Sequence, residues 1–216
     1  MICGIDEVNF SPSLAGDCVV CAFARTGKLI EGVADSKTLS QKRRLELFAE
    51  LQGESLYYVV PATPNAISRV NIYLARNIAA ITAIEGLNML LISAGYPVPE
   101  KYLLDGYWSK LWLRTFSARA HTLVEGIVGG DAVIYEISAA SIVAKCYVDA
   151  LFAGWERLYP LWGLGRDHGS LSDKHLAEIR AKGPSPLHRV GRYAPNWWKK
   201  IREGGLKWDG EHGDIS

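Results

Sequence analysis

The chain has 216 residues, 49% of them hydrophobic, and a formal net charge of +1. That is enough for one sizeable core with a small appendage, and the near-neutral balance confines any nucleic-acid footprint to a local patch. No apolar run reads as long enough to span a bilayer. The first apolar stretch also leads straight into Asp6 rather than into a signal-peptide pattern, so a cytoplasmic protein without membrane contact, acting as a monomer, is expected.

The predicted strands are short and mostly rich in β-branched or aromatic residues: Met1 to Ile5, Cys18 to Ala24, Leu56 to Val60, Tyr102 to Leu104, and a fifth near Thr122 to Glu125. Cys18 and Cys21 form a C-x-x-C, but residues three apart in a strand point to opposite faces and cannot share a metal. With Cys3 and Cys146 they read as buried thiols of a reducing compartment. Helices fall between and after the strands. "SQKRRLELFAELQ" offers Ser40 as N-cap and Leu45, Phe48 and Leu51 as an apolar face. "NIYLARNIAAITAIEGLNMLLISAG" is a long apolar helix stopped by Gly95 and Pro97, and "SAASIVAKCYVDALFAGWERLY" is a second, ended by Pro160. "LSDKHLAEIRAKG" runs from Ser172 to Gly183, and a last short helix is expected from Asn196. Strands first, helices interleaved and finally dominant, predict a mixed α/β layer with helices on a central sheet. The domain expectation is a core over 1–160, a helical C-terminal part over 161–203 and a polar, Gly-rich tail over 204–216.

The acids that matter are those placed where buried elements surface. Asp6 and Glu7 end the first strand, and Asp105 ends "KYLLD" ahead of Gly106. In the most apolar helix, Ser141, Lys145 and Asp149 fall at i, i+4 and i+8, a polar line that must find partners. Singly, such acids serve as caps, turns or local ion pairs. Gathered at a sheet edge they would repel each other and shift each other's pKa values. Divalent cations resolve that repulsion, and hard oxygen ligands suit Mg²⁺ or Mn²⁺. Two such ions serve in-line displacement at phosphorus.

The blocks "GIDEV", "ADSKTLSQKRRLELFAEL", "LLDG", "GDAVIYEISAASIVAK" with Asp149 four residues on, and "GPSPLHR" resemble the type 2 ribonuclease H (ribonuclease HII) family, in its order and spacing from Gly4 to about Arg192. The resemblance implies a ribonuclease H-like fold: a mixed five-stranded sheet flanked by helices, with a helical C-terminal extension. It implies metal-dependent cleavage of the RNA strand of RNA–DNA hybrids, leaving 5′-phosphate and 3′-hydroxyl ends. It matches Asp6, Glu7, Asp105 and Asp149 to the family's metal-binding carboxylates, and Ser36, Lys37 and Lys145 to residues near substrate phosphates. A hybrid-binding protein with little turnover, or another nuclease on the same fold, is the alternative.

Two departures touch substrate recognition. Where the family carries Gly-Arg-Gly after its acid pair, this chain reads Asn9-Phe10-Ser11, with Ser13 as one extra residue before "LAG". Where the family has a Tyr that packs on a sugar, alignment places Ser170. Weak or lost cleavage at a lone ribonucleotide is therefore expected. From Ile179 to Arg202 no acid interrupts seven basic residues, Arg189 among them, interleaved with Tyr193, Trp197 and Trp198, a composition suited to backbone binding and stacking. His168, His175 and His188 fit no standard metal spacing and read as surface or phosphate-adjacent residues.

Overall fold

The computed structural model describes residues 1–10 and 13–191. Ser11 and the basic aromatic segment from Arg192 onward, including the helix expected at Asn196, lie outside the described residues.

Five strands form one sheet in the order β3-β2-β1-β4-β5: β1 Ile2–Val8, β2 Cys18–Arg25, β3 Ser55–Ala62, β4 Lys101–Asp105 and β5 Leu123–Ile127. β1 pairs antiparallel with β2, Asp6 opposite Cys21, and parallel with β4. β4 in turn pairs parallel with β5, Asp105 opposite Ile127. The parallel ladder carries the tips of β1 and β4 to the same end of the sheet, which is where Asp6, Glu7 and Asp105 sit. β2 is buried along all but its last residue, and Cys18 and Cys21 lie buried and unbridged within it.

Seven α-helices are described: α1 Gln41–Glu54, α2 Pro64–Val70, α3 Ile72–Ser93, α4 Lys110–Ala120, α5 Tyr135–Leu158, α6 Leu164–Asp167 and α7 Asp173–Lys182. Ser40 caps α1 by accepting from the Arg43 N–H at 3.2 Å. Its inward face differs from the expected one: Leu47 and Leu51 are buried at i and i+4, whereas Leu45 is 52% exposed. Helices α2 and α4 were not read from the sequence. Each has a clear N-cap, Thr63 and Ser109; α2 is only seven residues long, whereas α4 is an amphipathic helix that buries Phe116 and Ala120. Gly95, at φ +82°, ends α3 as expected, with the Tyr96 N–H returning to the Leu91 carbonyl at 2.9 Å.

By length and composition alone, α3 and α5 could each cross a membrane, contrary to the expectation from the sequence. Half of the apolar window of α3 and 61% of that of α5 are buried in the protein, which is how a core helix satisfies the same test. Gly4 on β1 explains the close seat of α5. A Cβ there would run into the backbone at Glu136 and Ile137.

The chain forms two compact units. The first takes Met1–Val8, Val19–Pro61 and Arg76–Tyr147. The second takes Asn9–Cys18, Ala62–Ala75 and the chain from Val148. The second unit thus begins inside α5 and also takes two early segments.

Candidate active site

In the first unit, Asp6 and Glu7 follow the buried run of β1 and Asp105 follows that of β4. A fourth acid joins them, one the sequence reading passed over. Asp131 lies in a 3₁₀ turn, Gly130–Ala132, immediately after β5. Its N–H donates to Asp105 Oδ1 at 3.3 Å, and its carbonyl accepts from Ser138 Oγ at 2.7 Å, which fixes the turn onto α5. The signal was present in "VGGDA", an acid just past a strand and behind two glycines.

Three of the four carboxylates are displaced upward in pKa. Burial pushes Asp6 well above the ordinary carboxylate range, and the charges of Glu7, Asp105 and Asp131 push the same way. The Glu7 N–H, donating to Asp6 Oδ1 at 2.8 Å, resists. Asp105 is raised by burial first and Asp131 second. Glu7 is raised by burial, against the pull of Arg76. Two cations stand at the cluster. Lys37 Nζ is 3.1 Å from Asp131 Oδ2, and Arg76 Nη1 is 3.2 Å from Glu7 Oε1. Among the described residues no three Asp, Glu, His or Cys side chains are closed into a preformed ligand set. The donor chemistry nonetheless fits hard divalent cations: oxygen ligands only, mutually repelling, at one end of a sheet.

Of the residues matched to substrate phosphates, Lys37 has its ammonium on Asp131, and its side chain is 77% exposed. Partial burial works against its charge, but Asp131 outweighs it and the pKa is raised. Ser36 is buried, its N–H donating to Ser141 Oγ at 3.2 Å and its carbonyl accepting from Arg44. Lys145 is half-buried on α5.

The second unit holds the remaining predicted residues. Asp149 is buried, with Oδ1 3.6 Å from His168 Nδ1. The loop after β1 is stitched together by its own polar groups. Asn9 takes the left-handed conformation, φ +63°, that a glycine would adopt freely. Its Nδ2 donates to the carbonyls of Ala15, at 3.1 Å, and Asp17, at 2.9 Å, while its Oδ1 accepts from Ser13 Oγ at 2.5 Å. The side chain folds inward and is not presented for hydrogen bonding to a sugar. Phe10 packs edge-on against Tyr73, ring centroids 5.3 Å apart.

Arg189, expected among substrate-binding residues, is instead 1% exposed beneath this loop. Its Nε donates to the Gly16 carbonyl, Nη1 to that of Phe10 and Nη2 to that of Asn9, at 2.5–2.9 Å. Burial pushes its pKa down to about 10, with Cys18 and Asp17 opposing, so it remains charged at neutral pH. All three of its nitrogens thus donate to backbone carbonyls of the loop. Ser170 pairs with Ser13 in an isolated antiparallel bridge and donates its hydroxyl to the Asp167 carbonyl at 2.5 Å. Ser170 and Asn9, the two departures from the family pattern, thus both touch Ser13. His175 and His188 are not surface residues. They are buried, Nε2 to Nε2 at 3.0 Å, and His188 is further fixed by the Ser185 N–H at 2.8 Å. Burial first, then His175, pushes His188 down to about 3, so it is neutral.

The ribonuclease HII family model matches residues 3–200. The chain belongs to the ribonuclease HII family. It is 36% identical over 195 residues to ribonuclease HII of Chlorobium phaeovibrioides, covering 87% of each chain. It is likewise 36% identical over 194 residues to that of Idiomarina loihiensis, covering 88% of this chain and 94% of the relative. Among solved structures, ribonuclease H2 from Pyrococcus horikoshii superposes with a TM-score of 0.72 at 23% identity, over 94% of this chain and 99% of that one. A ribonuclease HIII solved in complex with Mn²⁺ superposes at 0.67 and 17% identity, over 94% of this chain and 69% of that one. These structural likenesses carry the ribonuclease H-like fold. Membership of the ribonuclease HII family indicates an endoribonuclease of the ribonuclease H type, acting on RNA–DNA hybrids.

Proposed function

We propose that this ribonuclease HII hydrolyses the RNA strand of hybrids with two divalent cations, leaving 5′-phosphate and 3′-hydroxyl ends, and that Asp6, Glu7, Asp105 and Asp131 hold the metal. The observation that carries this is the gathering of four carboxylates at one sheet end, where the Asp131 N–H donates to Asp105 Oδ1 and burial and like charge raise Asp6 and Asp105. Asp131 replaces Asp149 as the fourth ligand in this proposal. Asp131 is bonded through its N–H to Asp105 and contributes to the upward shift of Asp6, whereas Asp149 Oδ1 lies 3.6 Å from His168 Nδ1. Bound Mg²⁺ or Mn²⁺ would supply an activated water and neutralise charge on the leaving 3′-oxygen. The chain's own part is to hold the acids within one low-dielectric patch. Lys37, long and exposed, keeps Asp131 neutralised until a phosphate competes for its ammonium.

Recognition rests on the loop after Glu7. The left-handed Asn9 preserves the backbone course that a glycine would give, so the loop's peptide groups can still approach a 2′-hydroxyl. Phe10 brings no positive charge and Ser170 no ring, and both losses favour runs of ribonucleotides over a lone one. The experiment is cleavage of hybrid, duplex RNA and duplex DNA with Mg²⁺ or Mn²⁺. Cutting confined to the RNA of the hybrid and dependent on the cation is expected. Hybrid binding without turnover, or cutting of a DNA strand, would replace this reading with a binding protein or a different nuclease.

A further inference from the structure

Arg76 is an odd residue for its place. It is the one charged side chain of α3 between Ile72 and Glu85, in a mostly apolar run. Its position is nonetheless built on three sides. Nη1 lies 3.2 Å from Glu7 Oε1, with both side chains at most 15% exposed. The guanidinium carbon lies 3.7 Å from the centroid of the Trp108 ring. Nη2 donates to Asn77 Oδ1 at 3.4 Å. Trp108 is itself fixed, donating from Nε1 to the Asp105 carbonyl at 2.7 Å and packing on Phe116. The ring that seats the arginine is therefore tied to the strand end that carries a second acid of the cluster.

A guanidinium is always charged and presents a planar fork suited both to a carboxylate and to an aromatic face. Lys37, the other cation of the cluster, is 77% exposed and free to swing into solvent, whereas the Arg76 side chain is 10% exposed. A dication arriving at Glu7 therefore meets a carboxylate already satisfied and a positive charge that cannot retreat far. We infer that Arg76 is a resident counter-cation at Glu7, which a divalent ion must share or displace, so that it sets the cation concentration at which the site fills. The inference rests on the reading of the four acids as a metal site.

The test is calorimetric titration of the full chain with Mn²⁺, comparing the parent with Arg76→Met, which keeps the bulk and loses the charge, and with Arg76→Lys. Arg76→Met is expected to bind Mn²⁺ about tenfold more tightly, the effect of one nearby like charge. It should also melt at a lower temperature without metal and gain more on adding it. Arg76→Lys should stay near the parent. In the parent, an Mg²⁺ titration followed by NMR should move the Arg76 Nε–H resonance with the same midpoint as uptake, a readout that survives any folding defect of the variants. Equal or weaker Mn²⁺ affinity in a folded Arg76→Met, or an Arg76 resonance indifferent to Mg²⁺, overturns the inference. No uptake by the parent overturns the metal-site reading beneath it as well.

Discussion

The sheet end in the first unit and the loop in the second solve opposite problems with similar residues. At the sheet end, Asp6, Glu7, Asp105 and Asp131 are like charges forced together, relieved in part by Arg76 and Lys37. Among the described residues of the Asn9–Cys18 segment, complementary polar groups engage one another, the buried Asp17 carboxyl apart. Arg189 takes three carbonyls, Asn9 bridges Ala15, Asp17 and Ser13, and the Leu14 N–H donates to Gly169. The first arrangement stores repulsion that an added cation can relieve. The second has little left to relieve and works as a rigid frame. A site that must bind ions and a loop that must hold a shape are told apart by whether their buried polar groups already have partners.

The contrast is most easily broken at Arg189. Arg189→Met should deprive the Gly16, Phe10 and Asn9 carbonyls of their guanidinium donor and cost about 3–5 kcal/mol of stability, with Arg189→Lys recovering part of it. The melting temperature and KM should move more than kcat, because the frame and not the acids is damaged. A melting temperature within a degree of the parent would mean that the loop holds its shape without the clamp.

A second comparison sharpens what the frame reads. One embedded ribonucleotide should be cleaved about ten- to a hundredfold less well than a run of four in otherwise identical duplexes, the loss of roughly 1–3 kcal/mol of sugar and phosphate contact. Equal cleavage would show that Asn9-Phe10-Ser11 reads the junction despite its changed residues.

A smaller effect concerns Asp17, also in the loop, which burial raises to about 6 while Arg189 opposes. A carboxyl whose folded pKa exceeds its unfolded value is held protonated by the fold, so its contribution to stability is full below about pH 4 and is lost as pH rises to about 6. Asp17→Asn should remove that fall and stabilise the protein by about 1–2 kcal/mol at pH 7.5, with little change at pH 4. Parallel stability curves for parent and variant would place the charge of Asp17 outside the frame's energetics.

The sheet was legible because each strand is a short, β-rich run bounded by turn residues, and the long helices because their stop signals are strong. Helix α2 was not, being only seven residues long; nor was α4, although its N-cap Ser109 and its amphipathic body, with Phe116 and Ala120 inward, carried the signal. Asp6, Glu7 and Asp105 were legible as acids at the ends of buried strands. Asp131 was missed for a physical reason: it follows β5 in a one-turn 3₁₀ segment, and only the β4–β5 pairing brings that turn beside Asp105. Asp149 drew attention through its helical line with Lys145, a periodicity that speaks of burial more than of chemistry. Arg189 and His188 looked like exposed charge because their stretch is basic in sequence. Their burial depends on the left-handed turn at Asn9 and on the Ala15–His188 bridge, neither visible in one dimension. Ser13 read as a stray insertion, yet its hydroxyl is what holds Asn9 in place of a glycine.

The central claim is that the acids of the first unit, Asp131 included, perform the cleavage. The most direct measurement is single-turnover hydrolysis of an RNA–DNA hybrid with Mg²⁺ by purified Asp105→Asn, Asp131→Asn and Asp149→Asn, each checked for parent-like folding. Asp105→Asn and Asp131→Asn are expected to lose at least about a hundredfold in rate, the usual scale for removing a preorganised group that acts on developing charge, with Asp149→Asn the least impaired. A folded Asp131→Asn that cleaves at the parent rate, while Asp149→Asn does not, would contradict the account and return the fourth carboxylate to α5.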